Sequence, residues 1–162
     1  MQDALDSIDR HILRHLARDG RASVSDVAGM VGLSQSACTR RIQALERAGA
    51  IIGYEARLSA RQLGFPITAL VDITLNTQAE DVLSAFEAAA SRIDGIVECL
   101  LVSGAHDYRL RILCRDLDDY ERLHREHLGR LPGVTNINSS FVLRRIPTRD
   151  VGDAVLAGSG RS

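Results

Sequence analysis

Ser36, Arg40, Gln43 and Arg47 recur at helical spacing, with Thr39 at the border of the same stripe. Guanidinium groups present a planar fork of N–H donors to guanine edges or phosphates, and the short polar side chains carry groups that match base edges. Cys38, Ile42 and Leu45 share the opposite side of the same wheel, so this helix would bury one stripe and offer the other. Ser34 is placed to cap it by accepting an orphan N–H of the first turn, with Gln35 next in line. Arg41 falls at the edge of the buried stripe, where an ion pair or a phosphate contact fits better than base reading. A short helix of this kind suits a DNA major groove. The same pattern would serve an ordinary surface helix, so the flanking elements decide.

Other reactive side chains assemble less well. His11 and His15 lie four apart, and His124 and His127 three apart, but no acidic third ligand stands at suitable spacing. Both pairs read as surface histidines, and no metal site is expected. Cys38, Cys99 and Cys114 are odd in number and form no CxxC pair, which suits small core residues in a reducing compartment. GxSxG, P-loop, HExxH and glycine-rich dinucleotide motifs are missing from the sequence, so no catalytic residues and no cofactors are expected.

The elements around the polar helix support a reading of the first third as helical. Leu5, Ile8, Ile12 and Leu16 recur at helical spacing, Asp6 or Ser7 can cap that helix, and Gly20 closes it. Ser23 with Asp26 resembles a capping box opening a second helix that ends at Gly32. Two helices joined by a short turn containing Gly make a helix-turn-helix. Ile51 to Leu58 reads as a strand, half of a small wing. From Pro66 the pattern becomes strand (66–75), helix (79–92), strand (96–103), strand (108–115), helix (117–131) and strand (134–146). The expected fold class is α+β: an N-terminal, winged helix-turn-helix followed by a ferredoxin-like βαββαβ unit. The corresponding division is 1–58 for the DNA-binding domain, 59–65 for a linker, 66–146 for the βαββαβ domain and 147–162 for a frayed C-terminal tail. Alternate positions in Leu70–Ile73 and Cys99–Val102 read as too apolar for water, which predicts self-association through the second domain.

Composition narrows the class. Of 162 residues, 45% are hydrophobic, enough for packed cores. No apolar run approaches the roughly 20 residues that span a bilayer, and no signal-peptide pattern opens the chain, so a soluble, cytoplasmic protein is expected. Net charge is −1, so any grip on nucleic acid must come from local charge, here Arg40, Arg41 and Arg47 against Glu46 within 34–48. All 20 basic residues are Arg.

In order along the chain stand Leu5-Asp6-x-Ile8-Asp9, Asp19-Gly20-Arg21, Val31-Gly32-Leu33-Ser34, Arg41-Ile42-x-x-Leu45-Glu46, Gly49-x-Ile51-x-Gly53-Tyr54, Val102-Ser103-Gly104-x-x-Asp107-Tyr108 and Leu131-Pro132-Gly133-Val134. Together they resemble the Lrp/AsnC (feast/famine) family of transcriptional regulators over residues 3 to about 146. The resemblance implies a regulator that binds double-stranded DNA at near-palindromic operators through Ser34, Gln35, Ser36, Thr39, Arg40, Arg41, Gln43 and Arg47. It also implies a homodimer that assembles to higher oligomers, often octamers. It further implies that a small effector, typically an amino acid, binds at Gly104-Ala105-His106-Asp107-Tyr108, with Ser139 and Ser140 adding selectivity. In that loop, glycine would let the backbone approach a ligand, exposed N–H groups would receive a carboxylate, and Asp107 would pair with an ammonium group. Ala105 departs from the family's usual Asp or Asn, and His106 is an unusual neighbour. Two alternatives stand beside this reading: an effector-independent architectural DNA-binding protein, and a siroheme-decarboxylase-like enzyme using histidines of the C-terminal domain.

Overall fold

A computed structural model describes residues 5–146 together with Gly152 and Leu156. The chain forms two compact units, one built from 1–57 with 146–162 and the other from 58–145.

The first unit contains three helices, α1 (Ser7–Arg18), α2 (Val24–Val31) and α3 (Gln35–Arg47). Each begins where a side chain takes an otherwise orphaned N–H. The Asp6 carboxylate accepts from the Asp9 N–H, Ser23 Oγ from that of Asp26, and Ser34 Oγ from that of Ala37. Asp6 and Asp9 form a reciprocal capping box. Gly32 ends α2 in the left-handed conformation, φ +69°, which bends the chain into α3 without steric cost. Ile12, Val27, Ala28, Cys38 and Leu45 form the core of the three helices, with Ile42 and Ile51 packed against it.

The strand expected at 51–58 does not form. A strand needs a ladder partner, and no described segment pairs with this one; Ile52 and Leu58 are exposed. Tyr54 instead reaches back, donating its hydroxyl proton to Glu46 Oε1 at 3.0 Å. The tail reading of 147–162 falls outside the described residues except at two positions. Gly152 and Leu156 are helical. Leu156 is buried, and its carbonyl accepts from Arg14 Nη2 at 3.0 Å, so this residue belongs to the first unit's packing rather than to a frayed end.

The second unit is a βαββαβ fold. It runs β1 (Ile67–Leu75), α4 (Glu80–Ala90), β2 (Ile96–Leu101), β3 (Tyr108–Cys114), α5 (Leu117–Glu126), a 3-10 turn (Leu128–Arg130) and β4 (Val134–Phe141). The sheet order is β2-β3-β1-β4, antiparallel throughout. Ala69, Val71, Ile73 and Leu75 alternate inward with Tyr108, Leu110, Ile112 and Cys114, and pack with Phe86, Tyr120 and Leu128 of the helical layer. The second helix stops at Glu126 and tightens into the 3-10 turn, short of the expected 131.

The opposite sheet face is not the apolar surface expected. Beside Leu70 and Leu100 it carries Asp72 paired with Arg109 at 2.7 Å and Glu98 paired with Arg111 at 3.3 Å. The sequence pattern conceals this because the partners lie on different strands. Cys38 and Cys114 are buried as expected, but Cys99 is exposed on the edge strand.

Candidate nucleic-acid interface and effector site

Helix α3 sorts its residues by what they touch. Cys38 and Leu45 are buried; Gln35, Ser36, Arg40, Gln43 and Arg47 are exposed. Arg41 is drawn out of the exposed set. Its Nη1 donates to Asp6 Oδ2 at 2.7 Å and Asp9 Oδ1 at 2.8 Å, clamping the start of α1 to the middle of α3. The Asp9 N–H and then Arg41 hold the Asp6 carboxyl below the usual range, while the two carboxylates raise Arg41. Arg41 is therefore engaged in an ion pair, one of the two roles its edge position left open, and is not a free cation like Arg40 and Arg47 among the described residues.

The hydroxyls near the helix start are also engaged. Ser34 Oγ serves the cap and lies 3.2 Å from Ser36 Oγ, and Thr39 Oγ1 donates to the Gln35 carbonyl at 2.9 Å. Gln35 Nε2 donates to Ser25 Oγ of α2 at 3.0 Å, a contact that sequence spacing gave no sign of. The side chains of Arg40, Gln43 and Arg47 make no hydrogen bond or ion pair to any described residue.

In the second unit the loop after β2 turns at Gly104, whose φ of +135° disfavours other residues. The Asp107 carbonyl accepts the Val102 N–H at 2.9 Å, and the Asp107 N–H donates to the Ile73 carbonyl at 2.9 Å. The N–H groups of residues 103–106 find no acceptor among the described residues. His106 Nδ1 lies 3.2 Å from Thr74 Oγ1. Ala105 is exposed.

Asp107 does not offer the open carboxylate expected for an ammonium group. It is 7% exposed, with Oδ2 accepting from the Leu75 N–H at 2.7 Å and Oδ1 from Gln78 Nε2 at 2.6 Å. These donors, the Leu75 N–H foremost, hold its carboxyl below the usual range. Tyr108 is likewise a core residue, its ring against Phe86 and its hydroxyl donating to Glu87 Oε1 at 2.6 Å. Burial, then the Glu87 contact, raises its phenol.

Ser139 and Ser140 face opposite sides of β4. Ser139 pairs with the buried Val71 and hydrogen-bonds Tyr120 Oη, whereas Ser140 pairs with Leu70 on the other face. The two serines therefore cannot converge on one ligand. Among the described residues no group of three His, Cys, Asp or Glu could hold a metal ion, and no helix is long and apolar enough to cross a membrane.

Comparison with known proteins assigns these units to a class. Residues 5–46 match the AsnC-type helix-turn-helix domain and residues 68–151 the Lrp/AsnC ligand binding domain. The molecule is thus a DNA-binding transcriptional regulator with a ligand-binding domain. The leucine-responsive regulatory proteins of Salmonella typhimurium and Escherichia coli K12 are each 42% identical over 142 residues, covering 88% of this chain and 87% of theirs. A transcriptional regulator of Neisseria meningitidis, solved as an L-Met complex, superposes with a TM-score of 0.86 at 29% identity over 92% of this chain and 96% of its own. An AsnC family regulator of Agrobacterium tumefaciens gives a TM-score of 0.82 at 31% identity over 88% and 93%. The chain belongs to the Lrp/AsnC family of transcriptional regulators. The relatives are regulators rather than enzymes, which removes the decarboxylase alternative.

Proposed function

We propose that this regulator reads specific DNA sites through α3 and responds to an amino acid through its second unit. Arg40 and Arg47 carry the first part: two exposed guanidinium groups on one face of a capped helix, with no partner among the described residues. Ser36 and Gln43 share that face, with Gln35, Ser34 and Thr39 at the helix start. As a homodimer the protein would place two such helices in successive major grooves about 34 Å apart, on a near-palindromic site. Dimers would assemble further, to octamers or a similar closed oligomer, in the cytoplasm.

The amino-acid reading is supported by the L-Met complex of the Neisseria relative and by the open N–H groups at 103–106, which suit a carboxylate. With Asp107 engaged internally, that loop would hold its ligand by backbone groups. The same engagement favours a second reading, an architectural DNA-binding protein that takes no effector.

Replacing both Arg40 and Arg47 by Ala should weaken binding to the DNA upstream of the protein's own gene by tenfold or more, read by gel shift. Unchanged affinity would remove α3 from the interface. Thermal melting against the twenty amino acids separates the two effector readings, since a ligand at about 100 times its dissociation constant adds about 2.7 kcal/mol. A flat response to all of them would support the architectural protein.

A further inference from the structure

Gln35 is the first residue of α3, the part of a groove-entering helix that meets base edges. Its neighbours are occupied: Ser34 by the cap, Thr39 by the Gln35 carbonyl and Arg41 by two carboxylates. Gln35 itself is exposed, yet its side chain is not loose. One N–H of its amide is taken by Ser25 Oγ of the preceding helix at 3.0 Å.

A glutamine amide has two N–H donors and an oxygen acceptor. With Ser25 holding the N–H that points away from Oε1, the other N–H and Oε1 would form an adjacent donor and acceptor. That pair complements adenine in the major groove, which presents N7 as acceptor and N6–H as donor. Holding the side chain in place before DNA arrives removes part of the ordering cost that a free glutamine would carry into the complex.

We propose that Gln35, braced by Ser25, reads one adenine in each half-site and is a specificity-determining residue of this regulator. Ser25 acts as a positioning residue and touches no base. The proposal rests on α3 being the DNA-facing element, and its test keeps the two apart.

The full-length protein is used to enrich a pool of random-sequence duplexes, and the bound fraction is sequenced. Gln35→Ala should lower discrimination at one A·T pair per half-site by about tenfold while the other positions keep their preferences. Gln35→Glu keeps the length and is tolerated at a helix N-terminus, but it is acceptor-only. It should move the preference at that position towards cytosine, whose N4–H is a donor. Ser25→Ala should blunt the same position by a smaller factor. Thermal melting confirms that each variant is folded.

If Gln35→Ala leaves the base profile unchanged, or weakens all sequences alike, the proposal is overturned. If Ser25→Ala has no effect where Gln35→Ala does, the bracing role is overturned. The Arg40→Ala, Arg47→Ala double variant is run on the same pool. Wild-type enrichment there would reject the α3 reading itself, whereas lost enrichment beside an unaltered Gln35→Ala profile rejects only the adenine contact.

Discussion

A carboxylate sunk below a protein surface must be met by donors, and Asp107 takes the Leu75 N–H and the Gln78 amide. Asp107→Asn would place an amide N–H against one of those donors. It should cost about 2 kcal/mol at pH 7, measured by urea unfolding. The pH dependence has a definite sign. The folded-state pKa lies below the unfolded value, so the stabilisation is full above about pH 4 and is lost as the pH falls through the lowered value. The gap between wild type and Asp107→Asn should therefore narrow in acid. Asp107 was singled out from the sequence, but its partners were not, because Leu75 and Gln78 lie 32 and 29 residues away. The place of Arg41 at the edge of an apolar stripe follows from helical geometry, but its ion pair rather than a phosphate contact does not, because Asp6 and Asp9 lie 35 and 32 residues away.

Elements set by local chemistry were visible in the chain. Capping joins residues three apart, so the starts of α1, α2 and α3 follow from Asp6, Ser23 and Ser34. Ser34→Ala should cost about 1 kcal/mol, seen as a lower urea midpoint with an unchanged slope. What depends on pairing across the chain was not visible. The segment 51–58 has strand-like residues but no ladder, and the open sheet face is polar through pairs such as Asp72 with Arg109. Gly133 marks another tertiary constraint. Its φ is +73°, and a Cβ there would lie 2.6 Å from Val82 Cγ1 and 3.1 Å from Asn76 Oδ1. Gly133→Ala should destabilise by more than about 1 kcal/mol, checked by thermal melting.

Across the whole molecule a net charge of −1 gives no overall basic excess, so the proposed DNA contacts of α3 rest on a few local arginines. Affinity should still fall linearly with salt on a log–log plot, and Arg47→Ala should make that slope shallower by about 1 if Arg47 meets a phosphate. Titration of binding against salt concentration provides the check. The path of the chain has a consequence of another kind. The first unit is left at Arg57 and rejoined at Ile146, and Leu156 packs there with its carbonyl on Arg14. During translation, therefore, every residue of 58–145 has been synthesised before Leu156 can reach Arg14. A ribosome that stalls within the effector-binding half releases a chain whose DNA-binding half lacks that closing contact.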